Sequence, residues 1–103
     1  MQSFPVGRFP QGVTFDGTYI WVTNERSNDI SKLRASDGMM VASFRVGGSP
    51  LYDTFDGANI WVTNYANATV TKLRASDGVL LGTFNVGLFP KGIIFDGANI
   101  WVA

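Results

Sequence analysis

The sequence FDGANIWV occurs at Phe55–Val62 and is repeated without a change at Phe95–Val102. A third copy, FDGTYIWV, lies at Phe15–Val22, so successive copies begin 40 residues apart. The Asp-Gly pair predicts a hairpin, because glycine takes a positive φ without penalty and aspartate hydrogen-bonds its own backbone. Ile-Trp-Val places apolar side chains on both faces of a strand, which is typical of a strand covered on both sides.

The similarity extends beyond this phrase over the whole repeat. Residues 4–43 and 44–83 share 20 identities in 40 aligned positions. Residues 44–62 and 84–102 share 12 identities in 19 positions. This agreement indicates internal duplication, and it predicts a structural unit of 40 residues.

Each unit is predicted to contain four short strands, which in the first unit are Gly12–Phe15, Tyr19–Asn24, Asp29–Ala35 and Met40–Gly47. These runs are rich in β-branched and aromatic residues, as strands prefer. Four-stranded antiparallel sheets that pack face to face around an axis give both faces of each strand an apolar neighbour. The sequence therefore predicts an all-β fold, a β-propeller fragment built from four-stranded antiparallel blades.

The pattern FDGxxIWVTN, with VxKL and TFxVGxxPxG further along the repeat, resembles the bacterial propeller repeats of the NHL and YVTN type. In style it is similar to the blades of the virginiamycin B lyase-like (streptogramin lyase) superfamily. The resemblance covers essentially the whole chain. It implies about two and a half blades, in a family whose rings close with about six or seven.

We expect residues 1–103 to form a single propeller arc. The predicted parts are an outer strand with a linker at 1–11, a first blade at 12–47, a second blade at 48–87 and the first half of an incomplete blade at 88–103.

Such an arc leaves apolar blade faces uncovered at both ends, although repeat units are stabilised mainly by their neighbours. We therefore expect homo-oligomerisation that closes the ring, with a strand near Ser3–Gly7 joining the half blade of a neighbouring copy. A dimer with six or five blades is favoured over a trimer with nine. The alternative is that the chain is an engineered or excised piece of a longer propeller.

The composition bears on the classes of partner. Eight basic residues balance eight acidic ones, which gives no indication of nucleic-acid binding. No apolar run approaches the roughly 18 residues of a membrane span, and the N-terminus does not resemble a signal peptide. The chain has no cysteine and no histidine, so it lacks thiolate ligands and the commonest general base. We expect no cofactor, metal, membrane or nucleic-acid partner, and nothing indicates a compartment.

The resemblance to the lyases implies metal-dependent chemistry that uses histidine with acidic residues. Because this chain has no histidine, no catalytic residue can be carried over to it. We therefore expect a structural or binding scaffold and not an enzyme. A lectin-like or protein-binding module that uses loops and the channel mouth, with a small-molecule or glycan ligand, is one alternative. A metal-dependent lyase-like enzyme is a less favoured one.

Five residues are candidates for ligand binding. Tyr52 and Asp53 stand where the other units have glycine and an aliphatic residue, and Asp53 is expected either at the central channel or in solvent. Glu25, Arg26 and Tyr65 lie in the variable loops after the second strands, where regular scaffolds commonly bind ligands.

A second set of residues is predicted to form the core between blades, since symmetry alone explains their identical spacing. These are the aromatic residues of the repeated phrase: Trp21, Trp61, Trp101, Phe15, Phe55 and Phe95. Lys32 and Arg34, in the repeated KLRASDG, are expected on a solvated outer edge, where charges deter strand addition.

Overall fold

The structure is a computed structural model that describes residues 6–103. Its first four strands pair in sequence order as one antiparallel sheet, here called blade 1. They are β1 (Pro10–Phe15), β2 (Tyr19–Asn24), β3 (Asp29–Arg34) and β4 (Met40–Arg45). Within the described range, no helix is long and apolar enough to cross a membrane.

Blade 2 repeats this sheet, with one short 3-10 turn between its second and third strands. Its strands are β5 (Pro50–Phe55), β6 (Asn59–Asn64), β7 (Thr69–Arg74) and β8 (Leu80–Asn85), and the turn spans Tyr65–Asn67. The third unit is a two-stranded antiparallel hairpin, β9 (Ile93–Phe95) and β10 (Ile100–Val102). The predicted all-β architecture of four-stranded antiparallel sheets is confirmed, and it is consistent with propeller blades.

The strand bounds differ from the sequence-based ones at a few ends. β1 begins at Pro10 because an irregularity between Pro10 and Val13 lets Pro10 pair with Asn24. β4 ends at Arg45 because the next amide, of Val46, donates to the Asn28 carbonyl in the loop. The strand predicted near residues 3–7 lies mostly outside the described range.

The core lies between blades 1 and 2. From blade 1 it contains Trp21 and Ile30, and from the facing side of blade 2 it contains Ile60, Val62 and Leu73. All five side chains are buried. Each such burial contributes about 1.5–3 kcal/mol to the free energy of unfolding, so this interface is the main source of stability among the described residues.

Threonine side chains connect each blade to the next through main-chain carbonyls. Thr23 Oγ1 accepts a hydrogen bond from the Gly12 amide at 2.7 Å and donates to the Leu51 carbonyl of blade 2 at 2.7 Å. Thr63 Oγ1 donates in the same way to the Lys91 carbonyl at 2.8 Å. These bonds tie the second strand of each blade to the start of the first strand of the next unit, and so help to position the two units relative to each other.

The antiparallel topology gives the arc two distinct ends. The β1–β2 and β3–β4 turns, with their counterparts in the later units, lie at one end, here called the Asp-Gly end. The β2–β3 and β6–β7 loops and the linkers between units lie at the other, here called the loop end.

Two sheet faces have no described blade against them, and we call them the open faces. The open face of blade 1 carries Val13 and Phe15, and that of the third unit carries Ile94 and Trp101. Phe15 is 54% exposed and Trp101 57% exposed, so neither lies in the core of the single chain, and their packing between blades stays a prediction. Trp61, Phe55 and Phe95 are half-buried, and only Trp21 of the six is fully buried.

Candidate functional site

The structure does not bring the five candidate residues together. Glu25 and Arg26 lie in the β2–β3 loop, where Glu25 Oε1 accepts a hydrogen bond from Gln11 Nε2 at 2.9 Å. The Arg26 guanidinium carbon lies 4.3 Å from the centre of the Phe9 ring, in cation–π geometry. Both contacts are made within the first unit at the loop end.

Tyr65 forms a separate cluster at the loop end, on blade 2. Its ring centre lies 5.1 Å from that of Phe89, which belongs to the linker before the third unit. Lys91 Nζ lies 5.9 Å from the Tyr65 ring centre. The result is an aromatic pair with a cation beside it.

Tyr52 and Asp53 are adjacent on β5, the first strand of blade 2. Tyr52 is exposed, but Asp53 is buried and lies next to Gly12 of blade 1, so it is not in solvent as one alternative had it. Neither Asp53 oxygen has a hydrogen-bond partner among the described residues. Burial raises the pKa of Asp53 to about 8, because an unpaired carboxylate is poorly stabilised away from water.

The aspartates of the repeated phrase do more than form the predicted turn. Asp16 Oδ1 accepts the Thr18 and Tyr19 amides, and its Oδ2 accepts Trp21 Nε1 at 2.8 Å. Burial alone would raise the pKa of Asp16, but the bonds from Trp21 and the two amides outweigh it and lower that pKa.

The same bond recurs in the other units, with Trp61 Nε1 on Asp56 at 2.7 Å and Trp101 Nε1 on Asp96 at 2.6 Å. The bond from Trp101, with those from two amides, lowers the pKa of Asp96. The constant spacing of five residues between Asp and Trp is the sequence signal that could have revealed this bond.

Lys32 is also placed differently from the prediction. It is buried at the core between the blades, and its Nζ donates to the Ala75 carbonyl of blade 2 at 3.0 Å. The same Nζ lies 4.3 Å from the centre of the Tyr19 ring. Arg34 is exposed as expected and pairs with Asp37 at 2.9 Å. The alternation of residues along β3 cannot reveal the burial of Lys32, because the acceptor of its hydrogen bond, the Ala75 carbonyl, belongs to the neighbouring blade.

A groove of about 410 Å3 lies between blades 1 and 2 at the Asp-Gly end. Its walls include Tyr19, Phe55 and Arg74, and none of the five candidate residues lines it. Across residues 6–103, no three acidic side chains are grouped as they would be around a metal ion.

No protein-family model matches the sequence, and no curated protein sequence matches it. Solved structures do match. Hydrazine synthase from Kuenenia stuttgartiensis is 22% identical with a TM-score of 0.87, and the alignment covers 100% of this chain and 32% of that one. Virginiamycin B lyase from Staphylococcus aureus is 24% identical with a TM-score of 0.78, covering 91% of this chain and 33% of that one.

Glutaminyl cyclase from Myxococcus xanthus is 12% identical with a TM-score of 0.83, covering 100% of this chain and 46% of that one. This chain therefore spans between 32% and 46% of the length of these three structures. At such identities the likeness shows the fold alone. It confirms the resemblance to β-propeller repeats, and the neighbours include both a lyase and a cyclase.

Proposed function

We propose that the chain is a non-catalytic structural unit of a β-propeller that assembles with copies of itself into a closed ring. One observation carries the proposal. Trp21 is fully buried between blades 1 and 2, whereas Trp101, at the same position of the third unit and with the same aspartate bond, is 57% exposed. The third unit thus presents a blade-packing surface that has no blade against it among the described residues.

The size of the open faces supports assembly. If each exposes roughly 400 Å2 of apolar surface, covering it contributes on the order of 10 kcal/mol at about 25 cal/mol per Å2. That is comparable to the whole free energy of unfolding of a small domain. An arc alone in water therefore lacks a large part of the stabilisation that its blades are built to gain from neighbours.

A second copy has the matching surface. The open face of the third unit carries the counterparts of the β1 and β2 residues with which blade 1 contacts blade 2, and the open face of blade 1 corresponds to the receiving side. Blade 1 has Gly12 opposite Asp53. The third unit has Gly92, beside which there is free space, and this glycine would face the exposed Val13 of the next copy. A contact of this head-to-tail kind closes a ring when the rotation permits.

The mass in solution tests this proposal. We expect multi-angle light scattering to give a multiple of the 11.2 kDa chain mass, most simply two copies. Phe15→Glu and Ile94→Glu, one on each open face, should lower that mass, whereas Leu81→Glu on the outermost strand of blade 2 should retain it. A folded monomer at micromolar concentration would contradict the proposal.

Among the alternatives, a protein-binding role is the one that a specific observation favours. That observation is the exposed aromatic surface at the loop end.

A further inference from the structure

The linkers between units hold one residue in a left-handed backbone conformation. Its φ is 55° at Phe9, 51° at Ser49 and 55° at Phe89. This conformation costs roughly 1–2 kcal/mol for a residue other than glycine, and it is unusual for a bulky one. Ser49 shows that a small polar residue fits the same turn, so the backbone does not require phenylalanine there.

The two phenylalanines do not contribute to the core either. Phe9 is exposed, Phe89 is 59% exposed and the neighbouring Leu88 is 81% exposed. A large apolar side chain is therefore left in water at positions where serine would avoid that exposure, although serine adopts the same left-handed backbone. Because all three linkers share this φ, the strain belongs to the turn itself, and the exposed apolar rings are the reason to look for binding. In each case the ring lies against a loop residue, Arg26 on Phe9 and Tyr65 on Phe89.

The loop end is also positively charged. It carries four cations and two anions, a net charge of plus two: Arg8, Arg26, Arg45 and Lys91 against Glu25 and Asp29. The Asp-Gly end carries five anions and two cations, a net charge of minus three: Asp16, Asp37, Asp56, Asp77 and Asp96 against Arg34 and Arg74. Within residues 6–103, the ion pairs are at the Asp-Gly end, so the loop-end cations have no carboxylate partner.

We propose that the loop end is a docking surface for a short acidic segment of another protein that carries a large apolar side chain. Aromatic residues and arginine are the types that carry most binding energy in protein interfaces. Leu88 and Phe89 offer an apolar anchor, and Lys91 lies beside the Tyr65 ring next to it, where it can receive a carboxylate. Arg26, over the Phe9 ring in the first unit, adds positive charge at the same end.

Two other classes of ligand fit less well. A glycan needs hydrogen-bonding groups around the stacking ring, and the most exposed large apolar side chain here, Leu88, has none. Single-stranded nucleic acid needs a continuous cationic track along its phosphates, and Glu25 and Asp29 interrupt it. The acidic peptide uses the exposed apolar surface and the unpaired cations together.

Ring closure is a separate matter, because Tyr65, Phe89 and Lys91 all belong to one chain. A monomeric arc that binds peptide would contradict the ring and leave the docking surface intact. A closed ring that binds no peptide would contradict the docking surface and leave the ring proposal intact.

The test is selection of peptides from a random phage-displayed library on the full chain, with Phe89→Ser as the counter-selection. We expect the enriched peptides to combine Asp or Glu with Leu, Ile or Phe. The most enriched one, synthesised with a fluorescent label, is then titrated by anisotropy. Its binding should weaken as the NaCl concentration rises from about 50 to about 500 mM, since exposed charges are screened.

Each diagnostic variant has a precedent at the same position of another unit. Phe89→Ser copies Ser49, Tyr65→Glu copies Glu25, and Lys91→Gln copies Gln11. We expect each of the first two to raise the dissociation constant by about ten-fold or more, and Lys91→Gln by several-fold. Leu81→Ser on the outermost strand is the matched control and should bind as the wild type does.

Three results would overturn the docking surface. One is no enrichment above the counter-selection. Another is unchanged affinity in Phe89→Ser and Tyr65→Glu when their circular dichroism and mass match the wild type. The third is equal or tighter binding of a labelled oligothymidylate or a trigalacturonate that depends on the same residues, which would transfer the surface to nucleic acid or glycan.

Discussion

Trp21 and Trp101 hold equivalent positions and make the same local hydrogen bond, but they differ in what covers them. Each donates its indole N–H to the aspartate five residues earlier, at 2.8 and 2.6 Å. Trp21 is fully buried against blade 2, whereas Trp101 on the open face is 57% exposed. Local sequence fixes the bond, while the burial comes from blade 2 and from the outer strands of blade 1, which place Lys32 and Phe44 beside the Trp21 ring. The internal interface and the open faces are thus the same surface with and without a partner.

The largest expected effect comes from removing the buried indole. Trp21→Ala should lower the free energy of unfolding by about 3–5 kcal/mol at every protein concentration, because it leaves a cavity in the core. Trp101→Ala should cost less than about 1 kcal/mol in the dissociated chain, and more as concentration rises and copies cover it. Urea unfolding at several concentrations measures both. Equal losses in dilute protein would remove the distinction between the two surfaces.

Asp53 places a titratable group inside the internal interface, and the other two units have Val13 and Ile93 at that position. Its folded pKa of about 8 exceeds the value near 3.9 of an unfolded chain. Between those values only the folded state keeps the proton. The free energy of unfolding should therefore fall by up to about 1.4 kcal/mol per pH unit from about pH 4 to about pH 8.

Asp53→Val, which copies Val13, is the matched variant for this effect. Its stability should exceed that of the wild type at neutral pH by about 2 kcal/mol or more, and the difference should shrink towards pH 4, where Asp53 is protonated in the folded state. Urea midpoints across that range give the difference profile directly. Parallel profiles for the two proteins would show that the carboxyl group does not titrate on unfolding as described.

Gly12 and Gly92 offer the same contrast with a smaller change. A Cβ at Gly12 would lie 2.8 Å from the Leu51 carbonyl oxygen and 2.9 Å from Asp53 Oδ1, whereas nothing lies within 4 Å of one at Gly92. Gly12→Ala should cost about 1–3 kcal/mol through overpacking, and Gly92→Ala should stay within about 0.5 kcal/mol in dilute protein. Thermal unfolding of both variants measures these losses. An equal loss of stability in Gly92→Ala would mean that this glycine is already packed against another part of the protein.

The smallest effect concerns two equivalent lysines. Lys32 Nζ donates to the Ala75 carbonyl at 3.0 Å, while Lys72 lies over the Trp61 ring at 5.0 Å with no hydrogen bond to a described residue. Lys32→Met should cost about 1–2 kcal/mol and Lys72→Met about half of that. For a chain of this length, about 1 kcal/mol shifts Tm by roughly 4–8 °C, so calorimetry can rank them. A larger loss in Lys72→Met would contradict the ranking.

The sequence predicts the features that depend on short-range patterns, and it misses those that depend on contacts with the next blade. The β2 bounds, the Asp-Gly turns and the four-stranded sheets follow from short-range patterns, and the structure confirms them. The burial of Lys32 and Asp53 depends on groups 40 or so residues away in the next blade. Alternation within a strand tells which side chains share a face, but not what lies across from that face.

The candidate site shows the same limit. The loops containing Glu25, Arg26 and Tyr65 could be singled out because they vary between units. Phe9 and Phe89 were missed, since only the three-dimensional structure shows that their backbone is left-handed and their rings lie exposed beside those loops. The sequence did contain a signal for these two residues, since each places a bulky side chain at the position that Ser49 occupies in the other linker.

The threonine bonds between blades have a consequence for how such chains diversify. Thr23 and Thr63 each donate to a main-chain carbonyl, of Leu51 and of Lys91, and two quite different side chains stand at those receiving positions. A connector that uses only the peptide group accepts any residue type in the neighbour. For this connector, a unit can be duplicated or exchanged without a matching side chain in its neighbour, and only the side-chain packing between blades, such as Gly12 against Asp53, still has to fit.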